Sequence, residues 1–147
     1  MPKKPFRLIK TNANITEDST WGATWRDTWV WECPENFAVS LEKGDTFFAV
    51  LYDSADAVYL APDALVKVVV RDPSGQDVTR IYGGDDGANY IKSREVADRN
   101  LMAKLDLDTP VLVKPRWKIV IMTYDSTGMD AASIATSHFE LMTSKIV

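Results

Sequence analysis

Residues 20–33 read Thr20-Trp21-Gly22-Ala23-Thr24-Trp25-Arg26-Asp27-Thr28-Trp29-Val30-Trp31-Glu32-Cys33. A Thr-Trp step recurs every four residues, and Trp31 follows the third step at once. On a strand, side chains two apart share a face. Trp21, Trp25, Trp29 and Trp31 then line one face with Ala23 and Cys33, and Thr20, Thr24 and Thr28 lie opposite with Arg26 and Glu32. On a helix, a step of four drifts by only about 40°, so the first three tryptophans would also cluster, but Trp31 would leave the stripe. Thr and Trp favour strands, and Gly22 weakens a helix, so the stretch is read as extended. A single straight strand from Ser19 to Cys33 would be about 50 Å long at ~3.3 Å per residue, well beyond a usual strand. A break near Gly22 or Arg26-Asp27 is therefore expected, or the first part is an arm lying on another surface.

The flanking sequence continues the β pattern. Phe6 to Lys10 is a short strand candidate, and Thr11 to Thr20 is polar and loop-like. Pro34 stops the tryptophan strand. Phe37, Val39 and Leu41 alternate with small residues, and Thr46 to Tyr52 is apolar on both faces, as in a central covered strand. Val58 to Leu60 reads as a short edge strand. Val66, Val68 and Val70 face in while Lys67 and Arg71 face out, and Asp72-Pro73-Ser74-Gly75 has turn chemistry. Asp77 to Tyr82 returns as the second arm of a hairpin, and Gly83 to Gly87 is a loop. Leu101 to Leu107, Arg116 to Tyr124 and Ile134 to Met142 are further strands, with Pro110 to Pro115 as a connection or edge. Many short strands punctuated by turns, without a long helix, predict an all-β chain. The fold is a single β-sandwich, jelly-roll or immunoglobulin-like, with an extended N-terminal arm. The arm is placed at residues 1–28 and the sandwich at 29–147.

A chain of 147 residues fits one domain and can bury about 68–70% of its unfolded surface. The single cysteine excludes an internal disulfide. No secretory leader is visible, and no apolar run approaches the ~20 residues of a membrane helix, so a cytoplasmic origin is expected. The net charge of −4 hides an asymmetry. The first ten residues carry Lys3, Lys4, Arg7 and Lys10 and no acid, whereas residues 11–66 carry ten acids against Arg26 and Lys43. A basic end on an acidic body suits docking on an acidic surface, such as that of a neighbouring copy, or is a solvated tail. The acidic body disfavours nucleic acid as a partner.

The residues that could carry chemistry are few. His138 is the only histidine, whereas a histidine metal site usually needs two or three and a nucleophile–histidine pair needs an orienting acid. It falls on the face with Glu140, opposite Phe139 and Leu141, and reads as a surface histidine. Cys33 lacks a Cys-x-x-Cys partner and reads as a buried structural thiol. Asp85, Asp86 and Asn89 do not match a calcium loop. Asp106 and Asp108 share one strand, whereas a glycosidase pair flanks a cleft. The glycines at 83, 84 and 87 match neither a phosphate loop nor a dinucleotide fingerprint. No enzyme activity, cofactor or metal is expected.

Three readings of the tryptophans remain. They are core residues of the sandwich. Or they form a row of surface aromatics that stacks on sugar rings, as in a carbohydrate-binding module. Or they belong to an assembly interface, because interface cores are enriched in Trp and Tyr. The interface residues would then be Phe6, Leu8, Trp21, Trp25, Trp29 and Trp31. The basic segment Met1–Lys10, the extended stretch Thr20–Trp31 and the compact sandwich Phe37–Met142 together resemble the plan of tailed-bacteriophage head decoration, or cement, proteins. The resemblance spans the chain and is architectural. It implies a non-enzymatic protein on the virion capsid surface, made in the host cytoplasm. Its partners would be other copies of itself, with a trimer favoured, and a major capsid protein. On this reading, deleting Met1–Thr20 would weaken association and leave the sandwich folded. The segments Phe37–Thr46 and Arg116–Val120 also resemble generic sandwich and lectin-like jelly-roll domains, which keeps the carbohydrate-binding alternative open.

Overall fold

The computed structural model describes residues 2–17, 24–50, 64–78, 91–92, 101–105, 107, 109–125 and 137–146. Among the described residues there are eleven strands: β1 (Lys3–Ile9), β2 (Ile15–Glu17), β3 (Arg26–Glu32), β4 (Val39–Leu41), β5 (Thr46–Val50), β6 (Ala64–Arg71), β7 (Ile91–Lys92), β8 (Leu101–Lys104), β9 (Val111–Val113), β10 (Lys118–Asp125) and β11 (His138–Ile146). All pairings are antiparallel, and they build two sheets. Trp21, the Val58–Leu60 strand, most of the 77–82 return strand, the 83–87 loop, Asp85, Asp86, Asn89, Asp106 and Asp108 lie outside the described residues.

The pairing is nested from the outside in. β1 pairs with β11, the first strand with the last. Inside that pair β3 meets β10, then β4 and β5 meet β9 and β8, and finally β6 meets β7. Rolling this long double-stranded ribbon adds β11 against β4 and β5 in one sheet, and β10 against β6 in the other. Such a rolled ribbon is the strand order of a jelly roll rather than an immunoglobulin sandwich. The polar stretch expected as a loop contains β2, which extends the second sheet beside β3.

The core lies between the sheets and follows the alternation of each strand. Val66, Val68 and Val70 face Ile119 and Ile121 of their own sheet's neighbour, and Phe139, Leu141, Phe47 and Leu8 come from the other sheet. Trp29 packs against Phe139 with ring centroids 5.0 Å apart and the rings tilted by 40°. The polar ladder is also closed at its turn. The Asp72 carboxylate accepts from the Ser74 hydroxyl and from the N–H groups of Ser74 and Gln76, and these bonds hold its pKa below the usual range.

Residues 3–9 do not form a separate arm. β1 is a strand of the sandwich in register with Ile146 to Glu140, and Leu8 is 0% exposed. β3 runs through residue 28, from Arg26 to Glu32. The physical reason is the alternation of β1 itself. Phe6 and Leu8 form an apolar face that the core accepts, and Arg7 stays outside with its guanidinium on Glu140.

The tryptophan row is split by a β-bulge. The register passes from Ile121 opposite Trp29 to Met122 opposite Asp27, so Thr28 is an extra residue on β3. A one-residue insertion moves every side chain beyond it to the other face. Trp29 and Trp31 point into the core, and Trp25 lies on the outer face of the second sheet. Thr28 also turns inward, where its hydroxyl meets that of Thr123 at 2.5 Å. On the outer face, Trp25 and Val30 pack over Val69, Val120 and Met122. Lys67, expected to face solvent, does point outward but is only 5% exposed, with its ammonium 4.5 Å from the Trp25 ring centroid. Arg71 lies across the same face, bonded to both carboxylate oxygens of Asp27, to Asp77 at 2.8 Å and to the Met122 sulfur at 3.5 Å.

Candidate functional site

The N-terminal end of β1, the C-terminal ends of β11 and β9, and the start of β10 lie at one end of the sandwich. Phe6 reaches this end from β1, Trp31 from β3, and Phe37 from the segment before β4. Their rings form a triangle with centroids 5.2 Å (Phe6–Phe37), 5.5 Å (Phe6–Trp31) and 6.0 Å (Trp31–Phe37) apart. Trp31 is buried beneath, and Phe6 and Phe37 are half-buried above it. Edge-on and tilted geometries of this kind add about 0.5–1.5 kcal/mol per pair beyond area burial.

Cations sit over this aromatic end. The Lys145 ammonium lies 5.6 Å from the Phe37 ring centroid, and that of Lys114 lies 5.5 Å from the Trp117 ring. Both are within cation–π range, worth about 0.5–1 kcal/mol at exposed sites. Lys4 faces Lys145 across the β1–β11 ladder. Lys3 pairs with Glu42 at 2.5 Å, and the Arg116 Nε donates to Glu35 at 2.9 Å.

The backbone here is held in an uncommon shape. Asn36 has φ 60° and Arg116 has φ 71°. Asparagine tolerates the left-handed region, but for arginine it costs roughly 1–2 kcal/mol. Cross-loop hydrogen bonds hold it: the Cys33 N–H donates to Trp117 O and the Arg116 N–H to Cys33 O, both at 2.8 Å. The Trp117 N–H donates to Lys114 O at 3.0 Å, and the Ile146 N–H to Ala38 O at 2.9 Å. The two loops and the end of β11 are therefore tied together, and the exposed Arg116 side chain is carried on a fixed turn.

Cys33 sits under these loops, 1% exposed, with its Sγ 3.3 Å from Phe37 O. Burial pushes its thiol up to about 11. A thiol of this kind stays protonated and inert near neutral pH. An aromatic disulfide reagent at pH 8 should therefore leave the native protein unlabelled for hours, and should label it at once in denaturing urea. Rapid labelling of the folded protein would contradict the burial.

Of the residues expected at an interface, the structure brings Phe6 and Trp31 together at this end. Leu8 and Trp29 are in the core, at 0% and 1% exposure, and are covered by their own sandwich. Trp25 lies on the outer face of the second sheet, and Trp21 is outside the described residues. Sugar stacking needs an open ring face; Trp29 and Trp31 offer none, and Trp25 carries the Lys67 ammonium over its ring. Sequence reading missed Phe37, Lys114, Arg116, Trp117 and Lys145 as members of one site. One signal was present: Lys114-Pro115-Arg116-Trp117-Lys118 places three cations and a tryptophan in five residues. Among the described residues, no group of three or more His, Cys, Asp or Glu could hold a metal ion. No family model matches the chain, and no curated protein matches it.

Proposed function

We propose that this protein is a non-enzymatic structural protein of a virion, a head decoration protein that works as a homo-oligomer on a capsid surface. The observation that carries the reading is the cationic aromatic end, a rigid and solvent-facing surface built from Phe6, Phe37, Trp117 and the cations around them. Aromatic and arginine side chains on a fixed backbone are what interface centres are enriched in. The jelly roll supports the reading by fold-level analogy only, since capsid and lectin domains both use it. The contact surface differs from the one expected of an inserted arm. Leu8, Trp29 and Trp31 stabilise the protomer, and the partner meets the end of the sandwich above them.

The reading makes the mass in solution the first test. Sedimentation velocity of the purified protein at micromolar concentration and low salt should give an oligomer, with a trimer expected, rather than the 16.5 kDa protomer. A monomer under every condition would remove the oligomer from the proposal. Co-sedimentation with expanded capsids of its own virus would then be the remaining support.

A further inference from the structure

We infer that Arg116 anchors the contact between copies at this end, its guanidinium exchanging Glu35 of its own chain for Glu35 of a second copy. The inference rests on the oligomer reading above and names the residues of its contact. Lys114 to Trp117 is a β-turn, closed by the Trp117 N–H on Lys114 O, with Pro115 second and Arg116 third. With φ 71° at the third position the turn is of type II, and the residue there is ordinarily glycine or asparagine. An arginine in its place is strained. The backbone bond from the Arg116 N–H to Cys33 O is one that any residue but proline would make. Within the protomer the side chain does little to offset the strain. Its Nε donates to Glu35 at 2.9 Å, but the two side chains are 75% and 64% exposed, and ion pairs in water add little to a fold. Strained residues of this kind cluster where a function uses them.

The use of the Arg116 side chain therefore lies outside the protomer. Trp117 follows Arg116 directly, and Phe37 lies two residues beyond Glu35, both rings half-buried. Arginine beside aromatic rings is the make-up of an interface centre. There the rings exclude water, and a charged hydrogen bond counts for more than it does in solvent. Asn36, with φ 60°, shapes the turn that carries Glu35, so both members of the pair stand on preset backbone. Because they lie side by side on one copy, a rotation axis passing next to them brings each Arg116 to the Glu35 of the next copy. The exchange closes around a twofold or a threefold axis alike, which suits the expected trimer. It asks for no net charge on the end, since each copy supplies one guanidinium and one carboxylate.

Sedimentation velocity of the full chain tests this on wild type, Arg116→Glu, Glu35→Arg and the doubly exchanged Arg116→Glu/Glu35→Arg, with far-UV circular dichroism confirming that each is folded. Each single variant sets like charges together and is expected to lose at least tenfold in association constant, and the double variant is expected to recover most of it. An equimolar mixture of the two single variants, one of them fluorescently labelled, separates a pair between copies from a pair within one. Neither variant can form the pair alone, yet each offers the other an unlike charge, so the mixture is expected to associate at least tenfold more strongly than either by itself. A mixture no stronger than its components overturns the inference. Arg116→Asn, which suits the turn, is expected to melt no lower than wild type and still to lose association. A clear fall in its Tm would show that Arg116 serves the protomer's own fold, and would also overturn the inference. An oligomer that ignores every substitution does the same and leaves the oligomer reading intact, with its interface elsewhere. A wild type that is monomeric under every condition removes the two together.

Discussion

Deleting residues 1–9 is expected to abolish cooperative folding of the whole domain, with far-UV circular dichroism showing no thermal transition above room temperature. β1 belongs to the outermost of the nested pairs, and its loss strips one edge of β11 along seven residues, leaving it only β4 and β5 on the other edge. The Leu8 side chain alone contributes about 1.5–3 kcal/mol by burial, and Phe6 holds two sides of the aromatic triangle. Total stability of a domain is only about 5–15 kcal/mol. Removing a core side chain, a ladder and the cover over Leu141 together exceeds what most domains hold in reserve. A smaller version of the same test is Leu8→Ala, expected to cost about 2–5 kcal/mol. Were the segment an arm serving only a neighbour, the deletion would leave the melting curve of the protomer unchanged. That result would contradict the position of β1.

Trp29→Ala is expected to cost about 3–5 kcal/mol, the range for an aromatic side chain lost from a core. Trp29 is among the largest fully buried side chains and packs at a tilt against Phe139. Its Nε1–H is buried and meets no acceptor among the described residues. An unsatisfied buried donor costs about 1–3 kcal/mol, so Trp29→Phe should lose far less, about 1 kcal/mol or below. The phenyl ring keeps a ring contact with Phe139 and removes the orphaned donor, at the expense of a small void. Urea unfolding followed by circular dichroism measures both variants against wild type. A loss of about 3 kcal/mol or more for Trp29→Phe would mean that the indole N–H has an acceptor, and the account of this core position would fail.

The strands and their faces were largely legible in the sequence. Val66, Val68 and Val70, Ile119 and Ile121, and Phe139 and Leu141 all point inward as their alternation requires. The turn at Asp72-Pro73-Ser74-Gly75 was legible too, because its residue types make the bonds that close it. β2 was not, since Ile15, Thr16 and Glu17 form too short a stretch to show a period, and its strand exists by pairing with β3. Lys67 was read as exposed because a charged residue on an outward position usually is. It is covered because Trp25 packs on the same side, and that placement follows from the bulge at Thr28. For the candidate site, the basic N-terminus was visible, and so was the local cluster at 114–118. Their meeting with Lys145 and Phe37 was not.

By itself the sequence determined that this chain is all-β, and which side of most strands faces the core. Alternation is a property of neighbours along the chain, and it can be read wherever three or four side chains repeat it. Only the tertiary structure decided what covers the tryptophans. Their row looked one-sided because every second residue was counted without interruption. An extra residue at Thr28, paired across to β10 some ninety positions away, breaks that count and sends Trp25 outward while Trp29 and Trp31 go in. The same holds for the first strand. Leu8 is buried because Leu141 lies opposite it at the far end of the chain. Pairing over such separations depends on how the whole ribbon rolls up, and no local pattern encodes it.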